Sequence, residues 1–321
     1  VADYANEKGM ETWLYDEDRW PSGSAGGKAT VSKEHRMKYL GLLEQTVNAD
    51  QPDDRTIALF LGLIEENCIL DYCQLSTEMT EKEITELYRK VSASNTTKGT
   101  WKILRFYTDT MPPQSEYNGS AYLDTMNRDA VDAFIHVTHE AYLSHCGDRI
   151  GTSIRGIFTD EPHRGCCMDD RHVSGETVSV STCWTTDFFD EFRKRFGYDP
   201  KPLLPELFYC RQGNPISKVK LHYLYLAEQL FLERFIQPIE AWCEAHGMIL
   251  TGHFLHEDSL IAQVVPTGSL MRVYERVALP GIDCLGEHNQ CYWIAKQLAS
   301  VARQTGKPRM LSELYGCTGW Q

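Results

Sequence analysis

Two acidic steps in this chain have the residue types and setting that proton chemistry needs. Arg155-Gly156-Ile157-Phe158-Thr159 is a short apolar run that ends in Asp160-Glu161-Pro162, and Arg309-Met310-Leu311-Ser312 ends in Glu313. Two carboxylates held in different environments can divide the work: one keeps its proton and donates it, the other stays ionised as nucleophile or base. Glu161 is the candidate acid and Asp160 the neighbour that orients it. Glu287, between Gly286 and His288, competes with Glu313 for the second role.

A second group of residues suits recognition of hydroxyl-rich molecules. The run Tyr15-Asp16-Glu17-Asp18-Arg19-Trp20-Pro21-Ser22-Gly23-Ser24-Ala25-Gly26-Gly27 has neither the Walker spacing nor GxGxxG, so its glycines do not mark a phosphate loop. Acidic and aromatic residues precede them. Asp16 and Arg19 can bond hydroxyls, while Trp20 and Trp320 can stack on the C–H face of a sugar ring. His253, His256-Glu257-Asp258 and His288 are further expected contacts. Paired carboxylates beside such a surface are the equipment of glycoside cleavage. The same histidines and acids also offer N and O ligands to a metal. No HExxH helix accompanies them, so a metal-dependent hydrolase is the alternative. A calcium ion, structural or bridging the sugar, is compatible with the carboxylates; no other cofactor and no catalytic metal is expected.

Parallel strands of a βα fold must position these side chains. Thr12–Tyr15 runs into Asp16, Ile103–Tyr107 into Thr108-Asp109, and Gly156–Phe158 into Asp160-Glu161. Met248–Gly252 runs into His253, Gly281–Gly286 into Glu287, and Arg309–Ser312 into Glu313. Acids and histidines recur at the same end of each strand, where barrel enzymes keep their sites. Asn127 caps an apolar stripe through Val131, Phe134, Ile135 and Tyr142. A second stripe from Leu224 to Trp242 stops at Gly247, and Ile294 to Thr305 stops at Gly306, each with the expected stop signals. The fold class expected is α/β, a (β/α)8 TIM barrel over 1–321 that is incomplete here, with strands two to seven present and 48–100 as an insertion. Both ends read as cut, which points to further domains of the same polypeptide.

Composition narrows the partners. The 321 residues carry a net charge of −13, which disfavours nucleic acid and anionic membranes, whose phosphates need a basic surface. No apolar stretch approaches the ~20 residues of a membrane span. Eleven scattered cysteines without a CxxC pair read as reduced, mostly buried thiols of a cytoplasmic protein.

Three segments carry a family resemblance: the Tyr15–Gly27 run, Gly156-Ile157-Phe158-Thr159-Asp160-Glu161-Pro162, and Ser312-Glu313-Leu314-Tyr315-Gly316-Cys317-Thr318-Gly319-Trp320. Together they resemble the catalytic barrel of large bacterial α-L-rhamnosidase-type glycoside hydrolases, over most of the chain from Trp13 to Trp320. The resemblance implies hydrolysis of a terminal α-L-rhamnoside-like sugar in carbohydrate metabolism. It also implies a barrel within a longer chain, and an acidic pair at strand ends with Glu161 as its best-matched member. Related barrel glycosidases place the pair after strands four and seven, where Glu161 and Glu313 fall. A barrel that binds carbohydrate without cleaving it is the reading from outside enzymology, since fold alone does not confer activity.

Overall fold

The computed structural model describes residues 1–47, 52–94, 98–165, 172–174, 177–211, 214, 216–286, 292–314, 316 and 317. Among them the strands, in chain order, are β1 (Thr12–Tyr15), β2 (Lys38–Gln45), β3 (Thr56–Glu65), β4 (Cys68–Leu75), β5 (Thr100–Thr110) and β6 (Ile154–Asp160). They continue as β7 (His172–Ser174), β8 (Thr177–Trp184), β9 (Cys210–Arg211), β10 (Ile249–His253), β11 (Leu279–Cys284) and β12 (Leu311–Leu314). The chain divides into two compact units. One comprises Val1–Met37, Met111–Arg164 and Glu228–Gln321; the other comprises Lys38–Thr110 and Gly165–Ala227.

The first unit holds a five-stranded sheet in the order β1-β6-β10-β11-β12, with every neighbouring pair parallel. All C-terminal strand ends therefore lie along one edge. Register sets Tyr15 beside Phe158 and His253 beside Asp160, and pairs Asp283 with Glu313. The close approach of β6 and β10 depends on glycine. A Cβ on Gly252, at φ +153°, would meet the Thr159 carbonyl oxygen at 2.0 Å.

Helices Arg128–Val137, His139–Cys146, Gln237–Ala245 and Tyr292–Thr305 accompany this sheet. The Asn127 side chain accepts from the Asp129 N–H, and Gly247 and Gly306 follow their helices at φ +65° and +71°, as the stop signals predict. Phe134, Ile157, Leu250, Phe235 and Phe254 are buried in one apolar cluster; each such side chain contributes roughly 1.5–3 kcal/mol on burial.

The second unit is a seven-stranded sheet in the order β7-β8-β2-β5-β3-β4-β9, antiparallel except where β4 meets β9. Helix Glu81–Ser94 lays Ile84, Leu87, Tyr88 and Val91 against Leu59, Leu61 and Ile103. The segment 48–100, read as an insertion, lies within Lys38–Thr110 of this unit.

This arrangement corrects the strand count. Ile103–Tyr107 belongs to β5, between β2 and β3 in the antiparallel sheet, and β1 pairs directly with β6. Thr12–Tyr15 thus stands one place before β6 rather than two. Five parallel strands are present among the described residues instead of six, and they do not close a barrel. The relation that matters to the acids is kept: β6, β10, β11 and β12 are consecutive neighbours. None of the described helices is long and apolar enough to cross a membrane, and the described cysteines are free thiols.

Candidate active site

His253, at the end of β10, is the hub of the strand-end edge. Its side chain is 1% exposed, and three carboxylates meet it, Asp160 and Glu161 from the end of the adjacent β6 and Glu313 from β12, two strands away. Nε2 lies 2.9 Å from Glu313 Oε2 and 3.5 Å from Asp160 Oδ1, and Nδ1 lies 3.6 Å from Glu161 Oε1. The last contact is an ion-pair distance, too long for a hydrogen bond. Burial pulls the imidazolium pKa down, but the adjoining Glu161, Glu313, Asp160 and Glu257 outweigh it and push it up to about 9. His253 is therefore a cation at neutral pH.

Glu161 is placed by its backbone as much as by its neighbours. Its φ is +49°, a left-handed conformation that costs a side-chain-bearing residue energy and tends to mark functional sites. Its N–H donates to the His253 carbonyl at 3.2 Å, and Trp20 Nε1–H donates to Glu161 Oε2 at 3.0 Å. Glu161 and Glu313 keep side-chain exposures of 16% and 40%, so ligand can reach both.

Asp160 is held from several sides. Ser22 N–H donates to its carbonyl, the Asp160 N–H donates to Ser22 Oγ, both at 2.8 Å, and the Tyr15 hydroxyl bonds Oδ2. Burial raises the Asp160 pKa. Ser22 Oγ–H in turn donates to Asp16 Oδ1 at 2.6 Å. Asp16 is fully buried, and that burial pushes its carboxyl up to about 7. It thus lies beneath the site as a support.

Glu257 is also buried. Its Oε2 accepts from the Asp283 N–H at 2.8 Å and its Oε1 from the Tyr274 hydroxyl at 3.0 Å. Burial pushes its pKa to about 7, and that of Asp283 to about 6. Both oxygens of Glu257 are engaged in fixing β11 and Tyr274. His256 is exposed with φ +60°. Arg19, at φ +67°, donates through Nε to Asn118 Oδ1 at 3.2 Å. Glu287, His288 and Trp320 lie outside the described residues.

The structure thus brings together Glu161, Glu313, Asp160, His253 and Trp20, with Asp16 and Glu257 packed behind. Sequence reasoning missed Tyr15, Ser22 and Asp283. Tyr15 and Asp283 carried a signal in their strand-end positions; Ser22 carried none. Two ligand-like triads also form around the imidazole: Asp160, His253 and Glu313, and Glu161, His253 and Asp283, each with donor atoms within 4.8 Å of one another.

No protein-family model matches the sequence, and no curated protein matches it. Among solved structures, the chain is similar to the rhamnosidase from Novosphingobium sp. PP1Y, with a TM-score of 0.48 and 16% identity. The similarity covers 80% of this chain and 23% of the rhamnosidase chain, so this chain spans about a quarter of that protein's length.

Proposed function

We propose that this chain carries the catalytic carboxylates of a glycoside hydrolase that removes a terminal, α-L-rhamnoside-like sugar. One observation supports it above the others: Glu161 and Glu313, from different parallel strands, face the two nitrogens of one buried imidazole and remain open to ligand. One imidazolium balances one negative charge. Burial raises the pKa of the Asp160 and Asp283 carboxyls beside it, the latter to about 6. Cleavage of the glycosidic bond needs one carboxyl to donate a proton to the glycosidic oxygen and a second to act as nucleophile or base. In this reading Glu161 delivers the proton and Glu313 serves as nucleophile or base. The Trp20 indole fixes Glu161 and, being exposed, offers its ring to the sugar.

The triads around His253 favour a second reading, a metal-dependent hydrolase. One imidazole and two carboxylates at such spacing suit a divalent cation with N/O preference. There Asp160, Glu313, Glu161 and Asp283 would be ligands.

An aryl-glycoside panel headed by α-L-rhamnoside, run on the parent polypeptide, tests both. Release from one sugar, lowered at least about 1,000-fold in Glu161→Gln and in Glu313→Gln, is the expected result. Activity abolished by a chelator and restored by a single metal would favour the metal reading. Sugar binding without turnover, unaffected by Glu161→Gln, would leave a carbohydrate-binding protein.

A further inference from the structure

A cavity of about 370 Å³ opens beside β1, walled by the strand-end residues Tyr15, Glu17 and Asp18 and by Ala141 and Tyr142, with Lys28 at its rim. That volume falls within the roughly 300–1,000 Å³ of small-molecule sites. Nothing in the site around His253 uses it, yet the two are one hydrogen bond apart. The Tyr15 hydroxyl reaches both Glu17 Oε2, at 2.8 Å, and Asp160. Tyr15 therefore forms the partition between cavity and carboxylates.

We propose that this cavity binds a second, uncharged sugar unit of the substrate, next to the one that is cleaved. The inference rests on the glycosidase reading and names the neighbour of the scissile sugar. Three features select that ligand. Tyr142 donates its hydroxyl to the Tyr15 carbonyl at 2.8 Å, which fixes an aromatic wall on which C–H faces pack. Glu17 and Asp18 offer acceptors to hydroxyls, and two wall residues, Asp16 and Thr138, each keep a buried side-chain oxygen without a hydrogen-bond partner. Finally, the carboxylates of Glu17 and Asp18 outnumber the single ammonium of Lys28, which repels a uronic acid or a phosphorylated sugar and accepts a neutral one.

Saturation-transfer NMR on the intact protein tests this, using neutral rhamnosyl disaccharides and their counterparts with a uronic acid as the second unit. Expected is contact with both rings of a neutral disaccharide and at least tenfold weaker binding of the acidic one. Ala141→Trp, which fills the cavity, should remove contacts to the second ring and weaken the neutral disaccharide about tenfold. If that variant does not fold, Glu17→Gln paired with Asp18→Asn, which removes both carboxylates and leaves Lys28, should narrow the discrimination between neutral and acidic probes. Unchanged binding in a folded Ala141→Trp, equal or tighter binding of the acidic probe, unchanged discrimination in the double variant, or no disaccharide binding would each overturn the proposal. Aryl-monoglycoside hydrolysis and its loss in Glu161→Gln are read separately, so the catalytic reading stands or falls on its own.

Discussion

Ser22 grips Asp160 by both of its backbone groups. Its N–H donates to the Asp160 carbonyl and its hydroxyl oxygen accepts from the Asp160 N–H, each at 2.8 Å, while its own hydroxyl proton goes to Asp16. One buried serine thereby fixes the residue that precedes the left-handed Glu161. Replacing it with alanine leaves the Asp160 N–H and one Asp16 oxygen without their partner. The expected cost is about 1–3 kcal/mol of stability, measured by denaturant unfolding. Ser22→Thr, which keeps the hydroxyl, should recover part of it.

The hydrogen bond from Trp20 to Glu161 should matter to rate more than to affinity. Trp20→Phe keeps an aromatic face but removes the donor at 3.0 Å. Hydrogen bonds to charged groups are worth about 1.5–3 kcal/mol, so kcat on the best aryl glycoside should fall roughly 10- to 100-fold with KM moving less than kcat. An equal rise in KM at constant kcat would assign Trp20 to binding alone.

Stability should decline from mildly acidic to alkaline pH. His253 has its pKa raised from 6.5 to about 9. The stabilisation it supplies is complete below 6.5 and is lost as pH climbs through 9. Asp16 and Glu257 act in the same direction: burial raises both to about 7, so the folded state favours their protonated forms. Their contribution is full below the ordinary carboxyl range and disappears as pH rises through 7. Urea unfolding at pH 5, 7 and 9 should give a falling series, with a shallower fall between 5 and 7 in Glu257→Gln. A maximum at pH 9 would contradict the arrangement of charges around His253.

Gly252 tests the sheet that carries the site. Gly252→Ala places a Cβ 2.0 Å from the Thr159 carbonyl at φ +153°, and β6 and β10 must separate to admit it. A loss of more than about 3 kcal/mol is expected. Gly119→Ala, also at positive φ (+79°) but with no atom within 4 Å of the added carbon, should cost only the conformational penalty of about 1–2 kcal/mol. Thermal melts of the two variants separate steric conflict from backbone strain.

Much of this architecture can be read in the chain, and what cannot has a physical reason. Runs such as Gly156–Phe158 and Met248–Gly252 announce parallel strands because burial on both faces leaves no polar alternation. Ile103–Tyr107 has the same look, yet it sits in an antiparallel sheet. Its trailing Asp109 pairs with Arg55 at 2.6 Å. Periodicity reports burial, and only the pairing partner distinguishes the two sheets. At the site, Glu161, Glu313, Asp160 and His253 stand out because strand ends expose their chemistry. Ser22 does not, since its role lies in main-chain contacts that any turn serine could make. Glu257 looked like a ligand contact by composition; its oxygens turn out to be used by Asp283 and Tyr274.

The second unit is threaded from two stretches of chain, Lys38–Thr110 and Gly165–Ala227, with Met111–Arg164 of the first unit between them. Its strand β2 pairs on one side with β5 and on the other with β8, which is made some seventy residues after β5 (Thr110 to Thr177). On a ribosome, then, β2 emerges with one flank exposed until β8 arrives, and β6, with Asp160 at its end, is synthesised during that wait. Neither unit corresponds to a continuous stretch of the gene. A clone trimmed to either unit alone would have to splice distant codons together, and a protease nick after Thr110 or after Arg164 would divide both units.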